Sequence, residues 1–387
     1  MENSQKLNKP EIGKFDGFFA CKFFVNNAKI TAEYYTSKFG FHNLAYKGLE
    51  TGSRDFCSYV VSNGKVIFEI CSAYNNKTDD QKDLYSFLAN HGDGVKEIML
   101  NIDNVEKAYE VATKRGAKPF EKPVKIENDK GYIIRCAFEV QKDTSLVLID
   151  RTNYKGVYLP GFKEEVKDDP INMLLEVPKY NFIDHIVSNH GIGDMQPTVD
   201  WYLKMLDFHV FWSADDKIIH TEYSSLKSIV VSDYDETIKM PQNEPAVGKR
   251  GKSQIQEYVD YYNGSGVQHI AINVDDILST ISILKKRGVQ FLEVPSIYYD
   301  NLKKRLESSN IKVKEDLDKI AELGILVDFD EKGYLLQLFT KNNQDRPTFF
   351  FEFIQRENND GFGAGNFKSL FEAIELAQKE RGNLFES

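Results

Sequence analysis

The apolar positions of this chain follow two alternating rhythms. From Gly266 to Val274 they alternate with the two-residue period of a strand. Asp275-Asp276 then caps a stretch in which Ile277, Leu278, Ile281 and Leu284 recur at helical spacing, and Gly288 stops it. Asn181–Val187 reads as an apolar strand, and Pro197–Leu206 as the helix after it, ending before Asp207. Leu226–Val231 reads as a strand, as does the aromatic run Thr348–Arg356. Strand, helix, then several strands predicts β-α-β-β-β units in tandem. The expected fold class is therefore α+β: tandem βαβββ modules forming two homologous open-barrel domains, with helices outside and a cavity within.

The pattern repeats in sequence as well as in rhythm. Gly94-Val95-Lys96-Glu97-Ile98-Met99-Leu100-Asn101-Ile102-Asp103 reads against Gly266-Val267-Gln268-His269-Ile270-Ala271-Ile272-Asn273-Val274-Asp275, an offset of 172 (266 − 94). Lys114-Arg115-Gly116 matches Lys286-Arg287-Gly288 at the same offset. Asp129-Lys130-Gly131-Tyr132 then matches Glu331-Lys332-Gly333-Tyr334 at 202 (331 − 129), so about 30 residues are inserted in the second half. Tyr298–Gly324, with apolar residues at helical spacing, is the expected insertion. The boundary falls in the polar stretch 163–170, punctuated by Pro170, which gives domains 1–165 and 166–387.

Composition narrows the function classes. A net charge of −10 argues against a general nucleic-acid or membrane-surface binder, since both need a basic face. The longest basic run, Lys249-Arg250-Gly251-Lys252, is short enough to be a solvated loop. No apolar stretch is long enough to span a bilayer, and Met1–Phe15 is polar, without the apolar core of a secretory signal. Cys21, Cys57, Cys71 and Cys136 lack metal-site spacing and read as thiols in a reducing compartment. A cytoplasmic enzyme is expected.

Candidate chemistry sits where the two halves differ. His185 and His269 each stand on the first strand of a unit, just before its helix. Glu352 lies inside Phe349-Phe350-Phe351-Glu352-Phe353-Ile354, where a buried carboxylate is costly unless paired or metal-bound. Singly, each histidine fits a hydrogen-bonded core residue, and Glu352 fits an outward strand position. Alignment of the halves sets Glu97 opposite His269, Val147 opposite Glu352 and Ala20 opposite His185. Only the second copy therefore carries two imidazoles and a carboxylate, a set that leaves one side of a metal open.

At these residues the chain resembles the 4-hydroxyphenylpyruvate dioxygenases of the vicinal-oxygen-chelate superfamily. The resemblance rests on Asp184-His185-Ile186-Val187, Lys252-Ser253-Gln254-Ile255-Gln256-Glu257-Tyr258, Gly266-Val267-Gln268-His269-Ile270-Ala271, Phe350-Phe351-Glu352-Phe353-Ile354-Gln355-Arg356 and Gly361-Phe362-Gly363-Ala364-Gly365-Asn366-Phe367. It implies that His185, His269 and Glu352 bind Fe2+. It also implies that Ser228, Asn243, Gln254, Gln268 and Gln337 face the substrate, that Phe339, Phe350, Phe362 and Phe367 form an aromatic wall and gate, and that Asn366 is a further substrate contact. By residue type alone, Gln254 and Gln337 also fit solvated strand faces, and the phenylalanines fit plain core. The implied reaction takes 4-hydroxyphenylpyruvate and O2 to homogentisate and CO2, with a first domain given over to structure or to assembly as a homodimer or homotetramer.

Phe367, Leu370, Phe371, Ile374 and Ala377 give a C-terminal helix with one apolar stripe, hinged on the glycines before it and expected to act as a lid. Three rival readings stand beside this one. A 4-hydroxymandelate synthase shares the ligands but oxidises the benzylic carbon, and a non-catalytic binding protein on the same scaffold would show a missing ligand or a filled pocket. An extradiol ring-cleaving dioxygenase shares the triad type but would not need the glutamine-rich pocket motifs.

Overall fold

The computed structural model describes residues 9–165, 167–214, 225–246 and 251–385, with the side chains of 367–370 left out. The basic pair Lys249-Arg250 lies outside the described residues. In the first half the strands are β1 (Phe15–Phe24), β2 (His42–Lys47), β3 (Phe56–Asn63), β4 (Val66–Ala73), β5 (Gly94–Ile102), β6 (Pro119–Asn128), β7 (Gly131–Gln141), β8 (Thr144–Asp150) and β9 (Lys163–Glu164). In the second they are β10 (Ile183–Asn189), β11 (His209–Ala214), β12 (Leu226–Ser232), β13 (Lys239–Pro245), β14 (Gly266–Asn273), β15 (Leu326–Phe329), β16 (Tyr334–Phe339) and β17 (Phe350–Glu357).

Among the described residues these form a nine-stranded sheet, β6-β7-β8-β5-β1-β4-β3-β2-β9, and an eight-stranded sheet, β11-β12-β13-β10-β14-β17-β16-β15. Read in opposite directions the two orders coincide strand for strand, with β9 as the extra edge. The register repeats too. Ala20 pairs with Met99 and Met99 with Val147 in the first sheet, as His185 pairs with Ala271 and Ala271 with Glu352 in the second. Ala20, Glu97 and Val147 therefore occupy the places of His185, His269 and Glu352, as the sequence alignment has them.

Local chemistry explains the helices that flank each sheet. Asn27 caps the helix Ala28–Phe39 by accepting from the Ile30 N–H, and Gly40 ends it in the left-handed region. Asp276 does the same for Ile277–Lys286, accepting from the Ser279 N–H. The insertion folds as two helices, Ile297–Glu307 and Leu317–Leu323. No helix among the described residues is long and apolar enough to cross a membrane.

The two halves share one core. Alternation along β17 sends Phe350 and Glu352 to one face and Phe351 and Phe353 to the other. Phe351 meets Phe39, Phe68 and Tyr35 of the first half at ring-centroid distances of 5.1, 5.6 and 5.8 Å. Arg287, in the second half, donates to the Ser37 and Thr36 carbonyls at the C-terminal end of the helix Ala28–Phe39. Arg115, its counterpart in the first half, donates to the Lys204 carbonyl and to Asp207 at the end of the helix Met195–Leu206. The repeated Lys-Arg-Gly is thus a brace that each half lends to the other, cations meeting helix C-termini.

Candidate metal centre and substrate pocket

Three adjacent strands of the second sheet, β10, β14 and β17, carry His185, His269 and Glu352, all buried. Their potential ligand atoms lie within 4.8 Å of one another. Each imidazole Nε2 is 3.2 Å from Glu352 Oε2. The opposite ring nitrogens are committed elsewhere: His185 Nδ1 to Asp184 Oδ1 at 2.8 Å and His269 Nδ1 to Gln268 Oε1 at 3.0 Å. Those partners make each Nδ1 the protonated nitrogen and leave both Nε2 lone pairs directed at one point, as metal-binding histidines require. Two imidazoles and a carboxylate converging from rigid strands fit a divalent transition metal with an open side.

The three side chains are also coupled electrostatically. Burial by itself would raise the Glu352 carboxyl, yet His185 and His269 hold it down at about 2. Burial lowers His185, but Glu352 and Asp184 outweigh it and the net shift is upward. His269, whose Nδ1 meets an amide rather than a carboxylate, is shifted down by burial. Asp184 is itself clamped by Arg356, whose Nε and Nη2 reach its two oxygens at 2.9 and 2.8 Å. Against burial, that guanidinium holds Asp184 well below the usual carboxylate range. The same guanidinium donates to the Asn359 and Gly361 carbonyls and lies 5.7 Å from the Phe362 ring centroid. One side chain therefore joins a ligand's orientation to the glycine-rich segment.

The cavity over the triad is lined by Ser228, Asn243, Gln254, Gln268 and Gln337, five of the six polar residues to which the resemblance points. Aromatic rings close it. Phe350 stacks on His269 with centroids 4.9 Å apart, Phe339 stands 5.9 Å from the same ring, and Phe362 meets His185 edge-on at 5.2 Å. Gln337 Nε2 reaches Glu352 Oε1 at 3.4 Å. Gly363 has φ +73°, and a Cβ there would lie 1.9 Å from Gln337 Oε1, so only glycine lets the loop pass behind that amide.

Some expectations need correcting. Asn366 does not line the cavity: it is buried behind Gln337, donating to Gln337 Oε1 at 3.4 Å and accepting from the Tyr298 hydroxyl at 2.8 Å. It belongs to a brace that reaches the inserted helix. Gln254 is on no strand; it opens the helix Gln254–Tyr262, capped by Ser253, and it is buried. Gln337 is buried on β16 rather than solvated. The Phe367 side chain lies outside the described residues.

Sequence reasoning missed Asp184 and Arg356 as supports and Val187, Leu226 and Trp212 as walls. Val187 was findable, because a period of two puts it on the face of His185, and Leu226 shares the face of Ser228. Nothing local marks Trp212, whereas Phe371 lies in the predicted apolar stripe of the helix Phe367–Glu380. That helix is latched at its far end by Arg381 on Glu257 at 2.9 Å and by Gln378 on the Lys252 carbonyl at 3.2 Å. With it seated, the cavity is only about 60 Å³.

Residues 17–147 and 182–338 match the family model described as Glyoxalase/Bleomycin resistance protein/Dioxygenase superfamily. The chain is 51% identical over 370 residues to a 4-hydroxyphenylpyruvate dioxygenase of Dictyostelium discoideum, covering 95% of this chain and 100% of that protein. It is 51% identical over 383 residues to one of Danio rerio, covering 98% and 95%. A mutant 4-hydroxymandelate synthase from Streptomyces coelicolor superposes with a TM-score of 0.79 at 25% identity, covering 94% of this chain and 98% of that one.

Proposed function

The chain belongs to the 4-hydroxyphenylpyruvate dioxygenase family, and from that premise we propose that it converts 4-hydroxyphenylpyruvate and O2 to homogentisate and CO2. The observation that carries the reading is the convergence of two Nδ1-anchored histidines on Glu352 beneath a wall of phenylalanines. In this reading His185, His269 and Glu352 hold Fe2+. The iron, when bound, supplies the redox chemistry that couples O2 to oxidative decarboxylation and ring hydroxylation.

The protein's own groups do the positioning. Phe339 and Phe350 present flat apolar surfaces to an aryl ring beside His269. Gln268 has its amide oxygen committed to the His269 Nδ1–H, which leaves its NH2 to donate to a substrate oxygen. Ser228, Asn243, Gln254 and Gln337 supply the other polar contacts for a phenol at one end and a 2-oxo acid at the other. Trp212, Phe362 and Phe371 shut out water. Small-molecule sites run to roughly 300–1,000 Å³. A cavity of about 60 Å³ therefore admits an aryl keto acid only when the C-terminal helix lifts, which supports its role as a lid with Phe367 at its start.

Domain 166–387 is in this reading catalytic. Domain 1–165, without the ligand set, serves structure and assembly as a homodimer or homotetramer in the cytoplasm. The test is an oxygen-coupled assay with proton NMR of the product. Homogentisate is the expected product. The isomer 4-hydroxymandelate would make the chain a mandelate synthase, and no turnover with iron bound would leave only a binding protein.

A further inference from the structure

The first sheet has its own concave face, and the register lets it be compared with the catalytic one position by position. Lys22 pairs with Glu97 as Val187 pairs with His269. Arg135, opposite Ile149, stands where Gln337 stands opposite Ile354. Ser58, opposite Cys71, stands where Ser228 stands opposite Asn243. The cleft these residues line has a volume of about 320 Å³, against about 60 Å³ for the cavity over the metal triad. A duplicated cup that had lost its chemistry and had no other use would be expected to collapse onto apolar packing. This one is open, and its floor is charged.

The floor is incompletely satisfied. Glu69 is well served, accepting from Ser58 and Tyr158 at 2.8 Å each. Lys22 makes two long ion pairs, 3.6 Å to Glu69 and 3.8 Å to Glu97, but no hydrogen bond among the described residues uses its ammonium. Among the described residues Glu97 Oε2 has no hydrogen-bond partner and faces Arg135 only at 3.5 Å, while the guanidinium gives its short contact, 2.8 Å, to Glu121. A largely buried donor and a buried acceptor thus stand on the same floor in ion pairs only, without a short hydrogen bond. Around them rise Phe24, Phe56, Phe120 and Phe162.

We propose that this cleft is a second ligand site, and that it takes a free α-amino acid with an aromatic side chain. A ligand carboxylate supplies the hydrogen-bond acceptor that Lys22 lacks, its ammonium supplies the hydrogen-bond donor that Glu97 Oε2 lacks, and the phenylalanines take the ring. An anion alone meets Glu69 and Glu97, and a cation alone meets Lys22 and Arg135. Only a molecule carrying both charges complements the floor. The volume is at the small end of the range for small-molecule sites, which suits a single amino acid.

The test is anaerobic calorimetric titration of the intact iron-loaded enzyme with L-tyrosine and L-phenylalanine, set against 3-phenylpropanoate and 2-phenylethylamine, which each lack one charge. The wild type is expected to bind the amino acids at one site per chain, and each analogue about tenfold or more weaker. Glu97→Gln keeps the size of the side chain and leaves Lys22 paired with Glu69 and Arg135 with Glu121, so the cup keeps its shape. It is expected to weaken amino-acid binding about tenfold or more with turnover unchanged. Absence of binding, equal binding of the single-charge analogues, or an affinity untouched by Glu97→Gln each overturns the proposal. The last result would put the amino acid in the catalytic cavity instead.

Discussion

The two cups of this molecule have one architecture and opposite contents. In the second, three neighbouring strands bring two imidazoles and a carboxylate to one point; in the first, the same three positions hold Ala20, Glu97 and Val147. Both cups solve the same electrostatic problem, a glutamate inside a sheet. Glu352 is held down by two imidazoles and is suited to a divalent cation. Glu97, which burial would raise, is held below its ordinary range by Lys22 and Arg135. A metal is exchangeable and leaves coordination positions free, whereas a lysine and an arginine are covalently tied and bring their own geometry. In the function proposed above, the difference between the enzyme's cup and its twin therefore comes down to which kind of cation answers the carboxylate.

The comparison can be broken most sharply by writing the first cup's residue into the second. Glu352→Val is expected to reduce turnover to background and abolish metal retention while leaving the circular dichroism unchanged; metal analysis and oxygen uptake check it. Retained oxygen-coupled homogentisate formation would sink the ligand assignment. Next in size is Phe351→Ala, on the back of the same strand, which removes a ring fully buried between the halves. A loss of about 3–5 kcal/mol is expected. Calorimetry should show both halves melting in one transition, because Phe351 contacts both.

A smaller effect sharpens the role of Asp184. Asp184→Asn keeps the size of the side chain but removes the charge that fixes His185 Nδ1–H and answers Arg356, and metal affinity should fall roughly 10–100-fold. Competition with a chelator measures it. The smallest effect belongs to the first cup. Because the folded pKa of Glu97 is depressed, its contribution to stability is present above the ordinary carboxyl value of about 4.5 and is lost as pH falls through the lower folded value. Denaturant midpoints followed down through that window should drop less steeply in Glu97→Gln than in wild type.

The duplication was legible because its markers are backbone devices: Lys-Arg-Gly at helix ends and Lys-Gly-Tyr at a turn keep their identity wherever the fold is reused. The triad was legible only by subtraction, from where the halves disagree. What stayed hidden depended on contacts between distant segments. Nothing beside Asn366 says that it hydrogen-bonds Tyr298 instead of facing a ligand. Gln254 carried a helix start in its preceding serine, Ser253, a capping signal that outweighs the strand-face reading of a lone glutamine. The charged floor of the first cup is assembled from β1, β4, β5 and β7, and no window of sequence contains it.

The paired braces of Arg115 and Arg287 have a consequence of symmetry. Each arginine comes from one half and grips the end of the matching helix in the other, so the contact is made once in each direction. That reciprocity is what a two-fold axis produces when a surface meets its own copy. The chain thus carries an internal dyad, the arrangement of a dimer of single cups held within one polypeptide. The face through which one cup would pair with another is already occupied, so any assembly of whole chains has to be built from different surfaces.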